Sequence, residues 1–245
     1  MIKVSSFWAT VIAVMFFLTP MGAGALTAQN VPKDLEEYAE RAEDATAVLH
    51  EIMGIPEKGV PEELMAKAHA VAVIPHMVKG AFGIGGTYGK GLISQRKPSG
   101  MWSTPAFIEI GGGSFGLQLG VEASDLVLVF TNNEGVKSLL KGKVKLGADA
   151  SVAAGPIGRK AQIGTDVLLR SSIYSYSRNK GLFAGVAVDG SAITMDDSAN
   201  RKVYAKKVSG EDILLERSVK TTSIGKPFVD ALEKYSPSSR QASRE

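Results

Sequence analysis

The chain has 245 residues, with 28 basic and 25 acidic side chains and no cysteine. The lack of thiols excludes cysteine catalysis, disulfides, iron–sulfur clusters and cysteine-ligated zinc, and a chain of this length can fold on an apolar core alone. Residues 26–75 carry 10 acidic and 4 basic side chains, whereas residues 76–245 carry 15 acidic and 23 basic ones. This basic body favours anionic partners such as phospholipid headgroups, but an ordinary solvated surface explains the same excess.

The first 25 residues have the pattern of a secretory signal peptide. Lys3 precedes an apolar run over residues 7–18, and the small residues at 23–25 form a cleavage site. The apolar run is shorter than the roughly 20 residues of a membrane-spanning helix. We therefore expect a mature chain that begins at Leu26 and is exported to the periplasm or to the cell envelope. An uncleaved N-terminal anchor is the alternative.

Hydrophobic periodicity predicts a single α+β domain over residues 26–235 and a disordered polar tail over residues 236–245. Helices are predicted over residues 33–53, 61–68, 134–140, 197–205 and 224–235. Strands are predicted over residues 70–74, 107–110, 115–121, 126–130, 143–152, 162–170, 171–177 and 182–188, with two more at residues 82–84 and near residue 92. We expect a Gly-rich, mainly antiparallel sheet curled into a barrel or sandwich, with helices at both ends of the chain.

Glycine-rich stretches at residues 89–91 and 111–116 are interpreted as turns between strands. Gly155 and Gly181 are expected at turns where a Cβ atom is costly. The first helix has an acidic polar face, whereas helices that lie on anionic membranes favour Lys and Arg on that face. We interpret it as a helix that packs against the domain.

Residues 111–116 match the G-x-G-x-x-G dinucleotide motif and, around Ser114, the G-x-S-x-G hydrolase motif. Both motifs require a helix directly after them, but the following residues alternate as in a strand. All three histidines precede Ser114, which is the wrong order for that hydrolase fold. Other triad orders stay formally open, so an esterase is a distant alternative, and we expect no enzymatic activity.

Two further classes of site are disfavoured by residue spacing. His50, His69 and His76 lack the spacing of metal ligands on one helix or strand face. The tyrosines near residue 175 fit one face of a strand, and a dedicated nucleic-acid binder shows a stronger basic patch. We therefore expect no metal, no cofactor and no nucleic-acid partner.

Isolated cations lie among small residues in the second half of the chain. Lys137 and Lys141 are one helical turn apart, and Lys143 and Lys145 share one face of a strand. The candidate binding residues are Lys141, Lys143, Lys145, Arg159, Lys160, Arg178 and Lys180. They form either a cationic rim for anionic headgroups or a solvated edge whose lysines guard an exposed strand. The residues alone do not separate these interpretations.

The same region resembles a known family. GADASVAAGPIGR at residues 147–159 and YSYSRNKGLFAG at residues 174–185 resemble signature segments of the SYLF domain family. The resemblance extends over about residues 35–215. Members of this family bind lipids; eukaryotic members bind phosphoinositides, and yeast members also bind actin. Bacterial members are typically short exported proteins with this domain alone.

The resemblance implies a non-catalytic protein that binds phospholipid or fatty acyl chains at a membrane surface, with the seven cations as its headgroup-binding residues. Actin binding is not expected, because a bacterial periplasm contains no actin. The alternative is a structural or interaction protein that binds a protein partner through the same basic face.

Overall fold

The computed structural model describes residues 31–55, 59–158, 171–179, 182–185, 188, 190–204, 207–215 and 219–236. The helices are α1 (Glu36–Gly54), α2 (Glu62–Ala66), α3 (Glu134–Leu140), α4 (Asp197–Val203), α5 (Gly210–Leu214) and α6 (Lys226–Tyr235), and a 3-10 turn (Lys33–Leu35) precedes α1. The strands are β1 (Ala70–Gln95), β2 (Ala106–Phe130), β3 (Lys143–Lys145), β4 (Val152–Ala154), β5 (Ile173–Asn179), β6 (Leu182–Gly185) and β7 (Ser191–Met195). The predicted signal peptide, the polar tail beyond Ser236, the strand over residues 162–170 and Gly181 lie outside the described residues.

The predicted α+β class is confirmed. The strands form a mainly antiparallel sheet that is curled into a half-barrel, with helices toward both ends of the chain. Within the described part of the sheet, only β4 and β5 pair in parallel. From Pro32 onward the chain forms one compact unit.

The frame of the sheet is a single long hairpin of β1 and β2. The two strands pair antiparallel along nearly their whole length, with two irregularities in their register. The turns expected at residues 89–91 and 111–116 are therefore wrong, because both stretches continue a strand. Glycine suggests a turn in a sequence, but inside a strand it also marks a bend or a close approach of two backbones.

The glycines of β1 let the strand fold back on itself. A Cβ atom on Gly91 would lie 2.1 Å from the carbonyl oxygen of Val73, and one on Gly89 would lie 2.7 Å from Cγ2 of Ile74. Between these contacting segments, His76 adopts a φ of 49° inside the first register irregularity. A bulge of this kind bends a strand and increases its twist. The two halves of the hairpin can therefore pack against each other.

The remaining strands use the other edge of β2. Strand β7 pairs with residues 108–112 and β5 with residues 125–130, while β3 pairs with β7. The predicted hairpin of strands over residues 171–177 and 182–188 is confirmed as β5 and β6. The single strand predicted over residues 143–152 is wrong, because Gly147 has a φ of 86° and separates β3 from β4.

Helix α1 packs against β1 and α6, as its interpretation as a packing helix predicts. Its apolar face buries Leu49 and Ile52 completely. Arg41 on the same helix forms an ion pair of 2.8 Å with Asp196, and both side chains are 7% exposed. Within the described ranges, no helix has both the length and the apolar character needed to cross a membrane.

Candidate functional site

Helix α3 and strand β3 place three lysines on one part of the surface. Lys141 is the C-cap of α3, and Gly142, with a φ of 127°, turns the chain into β3. This conformation favours glycine because it has no Cβ atom. Alternation along β3 then exposes Lys143 and Lys145 and buries Val144.

We call Lys141, Lys143 and Lys145 the basic patch. They line an open depression of about 630 Å³ together with Ser138 and Thr194. Asp149 is the single acid of this lining, and its Oδ2 accepts a hydrogen bond of 2.8 Å from the backbone N–H of Lys145. The three ammonium groups form no ion pair with any residue that the structure describes. The patch is therefore a positively charged surface whose donors face solvent.

Arg178 does not line this depression. Its Nη2 lies 2.5 Å from Oδ2 of Asp125, and its Nη1 contacts a carboxylate oxygen of Glu51 on α1. Two carboxylates thus neutralise the guanidinium, which ties β5 to β2 and to α1. The sequence does not reveal this role, because a structural ion pair looks like any other exposed cation in it. The shared rim of the seven cations stays a prediction.

The other three candidate cations, Arg159, Lys160 and Lys180, lie outside the described residues. The segment before Arg159 is held against β5 by a glycine contact. A Cβ atom on Gly155 would lie 2.1 Å from Cζ of Tyr176, and the Tyr176 hydroxyl donates a hydrogen bond of 2.9 Å to the carbonyl of Pro156. Burial raises the pKa of Tyr176, so this hydroxyl keeps its proton. The expected cost of a Cβ atom at Gly155 is confirmed, but its cause is an aromatic ring and not a turn. Gly155 directly follows β4, and its backbone N–H donates to the carbonyl of Ser175 on β5 at 3.0 Å.

This segment and the basic patch fall within a family match. The family model described as "Ysc84: Las17-binding protein actin regulator" matches residues 111–235. The chain belongs to this family, the Ysc84 or SYLF domain family. The resemblance inferred from the two signature segments is thereby confirmed.

Several Ysc84-family proteins are similar to this chain. SH3 domain-containing YSC84-like protein 1 of Homo sapiens is 34% identical over 189 residues, which cover 75% of this chain and 54% of that protein. Protein YSC84 of Saccharomyces cerevisiae is 37% identical over 177 residues, which cover 71% and 37% respectively. LAS seventeen-binding protein 3 of the same species is 33% identical over 193 residues, covering 76% and 42%. The chain thus spans about half the length of such relatives, or less.

The distant esterase alternative depends on Ser114, which lies inside β2. Ser114 pairs with Gly85 in the ladder, and the strand continues to Phe130. A nucleophile elbow exposes its serine on a sharp turn from a strand into a helix. The backbone at Ser114 does not have this geometry, so the motif is a stretch of glycine-rich strand.

The three histidines have separate surroundings. His50 contacts Tyr235 on α6, His69 contacts Asn133 before α3, and His76 lies in the first irregularity of β1. In the part of the chain that the structure describes, no three His, Asp or Glu side chains converge as a possible metal site.

Sequence reasoning missed a second group of polar residues, near the tip of the β1–β2 hairpin. Lys67, His69, Arg96 and Lys97 converge there with Asn133, which precedes α3. These residues come from three segments that are far apart in the chain, and no spacing rule connects them. The pair Arg96-Lys97 was the available signal, but two adjacent cations are common on any surface.

Proposed function

We propose that this protein binds anionic phospholipid without catalysing a reaction, and that the basic patch contacts the headgroups. The observation that carries this proposal is the group of exposed ammonium donors of Lys141, Lys143 and Lys145, unpaired within the described residues, on one open surface. Each cation near an anionic membrane contributes about 1 kcal/mol of attraction. Arg159, Lys160 and Lys180 extend this proposal as candidate neighbours, and Arg178 is omitted because carboxylates neutralise it.

An open, charged depression suits headgroups better than acyl chains. Sites for apolar ligands are concave and bury most of the ligand surface, whereas the basic patch is a wide-open depression lined by charged side chains. We therefore propose contact led by the headgroup, with acyl-chain binding as the alternative mode.

Vesicle co-sedimentation tests the proposal. The variant Lys143→Glu/Lys145→Glu loses two attractions of about 1 kcal/mol each, so we expect its affinity for anionic vesicles to fall about thirtyfold or more. Wild-type binding should also weaken as salt rises, because the Debye length shrinks from about 10 Å at 0.1 M to about 3 Å at 1 M. The variant Lys202→Glu/Lys220→Glu is the matched control, since it reverses the same charge at exposed positions outside the patch.

Binding that ignores both salt and charge reversal in the patch would contradict headgroup contact and leave an acyl-chain site. If the patch variant and the control variant lose equal affinity for anionic vesicles, binding responds to the net charge of the protein alone.

A protein partner is the second candidate function. It is favoured by the description of the family as Las17-binding proteins and actin regulators and by the name of the yeast relative LAS seventeen-binding protein 3. We propose that such a partner would present an acidic surface to the same basic patch. Crosslinking from a cysteine introduced at Ser138 distinguishes this function, because it captures a protein where the lipid proposal expects none.

We also propose that the chain is exported, with cleavage after Ala25 and a mature protein in the periplasm or on the cell envelope. The apolar run and the small residues at positions 23–25 support this proposal. Intact-mass measurement of the natural protein tests it, because a mass that retains residues 1–25 contradicts cleavage.

A further inference from the structure

A second basic depression lies where the end of α2, the tip of the β1–β2 hairpin and the β2–α3 loop meet. We call it the hairpin pocket and define it by Lys67, His69, Arg96, Lys97 and Asn133. Its volume is about 640 Å³, which is within the usual range for small-molecule sites. The described residues that line it include three cations and no acid.

Arg96 holds the wall of this pocket together. Its Nε donates to the carbonyl of Ala68 at 3.0 Å, and its Nη2 donates to that of Met65 at 3.1 Å. The guanidinium also lies 4.6 Å from the ring centre of Trp102. Carbonyl oxygens and an aromatic face satisfy donors of this guanidinium, and the nearby Glu233 carboxylate offsets part of its charge. The lysines of the lining therefore supply much of the positive charge of the pocket.

Two polar donors near the mouth of the pocket, the Asn133 amide and the Lys67 ammonium group, can turn toward a ligand. Asn133 Oδ1 lies 3.2 Å from Nδ1 of His69, and in this orientation the Asn133 amide N–H groups have no protein acceptor among the described residues. Lys67 pairs with Glu63 at 2.9 Å, but both side chains are nearly half exposed. Such exposed pairs contribute little, so an incoming anion can take the ammonium group from Glu63.

We propose that the hairpin pocket binds the phosphate group of a phosphomonoester, either a soluble one or the headgroup of phosphatidic acid. A phosphate offers several acceptor oxygens, and lysine ammonium, imidazole and amide groups can donate to them at the same time. The pocket is partly enclosed and shares no lining residue with the basic patch, so this proposal is independent of headgroup contact there.

Calorimetric titration of the full chain with inorganic phosphate and with glycerol 3-phosphate tests the pocket directly. We expect Lys67→Ala/Lys97→Ala to weaken binding at least about tenfold, the effect of losing one charge-assisted hydrogen bond. Lys202→Ala/Lys220→Ala is the matched control, at exposed positions outside both depressions, and should leave this binding unchanged. Asn133→Asp is a second test and should also weaken binding, because it adds a charge of the same sign as the phosphate with almost no change in volume. The substitution removes no helix cap, since the Asn133 side chain makes no capping hydrogen bond to α3.

Vesicles distinguish the two sources of the phosphate. Neutral phosphatidylcholine vesicles carry either phosphatidic acid, a monoester, or phosphatidylglycerol, a diester, at equal surface charge. A loss of the preference for phosphatidic acid in Lys67→Ala/Lys97→Ala assigns the pocket to a headgroup. Binding of the soluble esters without such a preference assigns it to a soluble ligand.

Two results overturn the proposal. One is that neither the soluble probes nor phosphatidic acid binds more strongly to the wild type than to Lys67→Ala/Lys97→Ala. The other is that both double-alanine variants lose equal affinity, because the pocket would then act only through net charge. Failure of the vesicle test of the basic patch changes neither result, since that test uses other residues.

Discussion

Two regions of the molecule carry cations in different surroundings. One is the contact between α1 and the sheet, and the other is the basic patch. At the contact, Arg41 is 7% exposed and pairs with Asp196 at 2.8 Å, while Arg178 pairs with Asp125. In the basic patch, Lys143 and Lys145 are exposed and make no ion pair within the described residues. The difference teaches that burial and an available partner, more than charge itself, separate a cation that stabilises the fold from one that can bind a ligand.

The largest expected effect is on the buried pair. Arg41→Ala leaves the Asp196 carboxylate buried without its cation and removes the contacts of the guanidinium with the rings of Tyr38 and Phe107. Breaking a buried pair on one side costs about 3–5 kcal/mol. We expect urea denaturation to show a loss of this size in the free energy of unfolding. A loss below about 1 kcal/mol, typical of exposed pairs, would remove the distinction between the two regions.

Arg178 should give a smaller loss of stability and no loss of lipid binding. Arg178→Gln leaves Asp125, whose side chain is 6% exposed, without its strongest partner, but the arginine itself is 23% exposed. We expect the free energy of unfolding to fall by about 2 kcal/mol, between the values for surface and buried ion pairs. Vesicle binding per folded molecule should equal that of the wild type. Reduced binding at unchanged stability would instead return Arg178 to the headgroup site.

The basic patch should show the opposite behaviour. Lys143→Ala/Lys145→Ala removes exposed side chains without ion pairs in the described structure, so the free energy of unfolding should change by less than about 0.5 kcal/mol per site. Affinity for anionic vesicles should fall about thirtyfold, as two attractions of about 1 kcal/mol are lost. A large loss in the free energy of unfolding would mean that these lysines stabilise the fold. Neither a headgroup-binding lysine nor a lysine that guards an exposed strand edge predicts such a loss.

The smallest effect concerns His50, at the contact between α1 and α6. Burial and the nearby charge of Lys234 lower the pKa of His50, whose Nδ1 lies 2.8 Å from the Tyr235 hydroxyl. The folded protein therefore binds a proton at this site less readily than the unfolded chain, and stability falls as the pH drops below the ordinary histidine pKa of 6.5. Denaturation at several pH values should show that the stability of His50→Gln lacks this part of the decline at low pH. An identical pH dependence in variant and wild type would contradict it.

The local spacing of apolar residues predicted those helices and strands whose buried face depends on residues close by in the chain. Helices α1, α3 and α6 and the β5–β6 hairpin follow from the spacing of apolar residues. The same reasoning failed in the long hairpin, where glycines at residues 89–91 were interpreted as a turn. Their function depends on Val73 and Ile74, which lie more than a dozen residues earlier in the chain, and a local pattern contains no information on that contact.

The sequence by itself determined the α+β class, the acidic packing helix, the family and the exposed lysines of β3. Each of these follows from composition, from period or from a continuous motif. Only the tertiary structure decided that Arg178 belongs to an ion pair, that Gly155 contacts the ring of Tyr176, and that Lys67, Arg96 and Asn133 surround one pocket. The physical reason is that free energies of ion pairs and close contacts depend on distance in space, whereas sequence separation limits that distance without setting it.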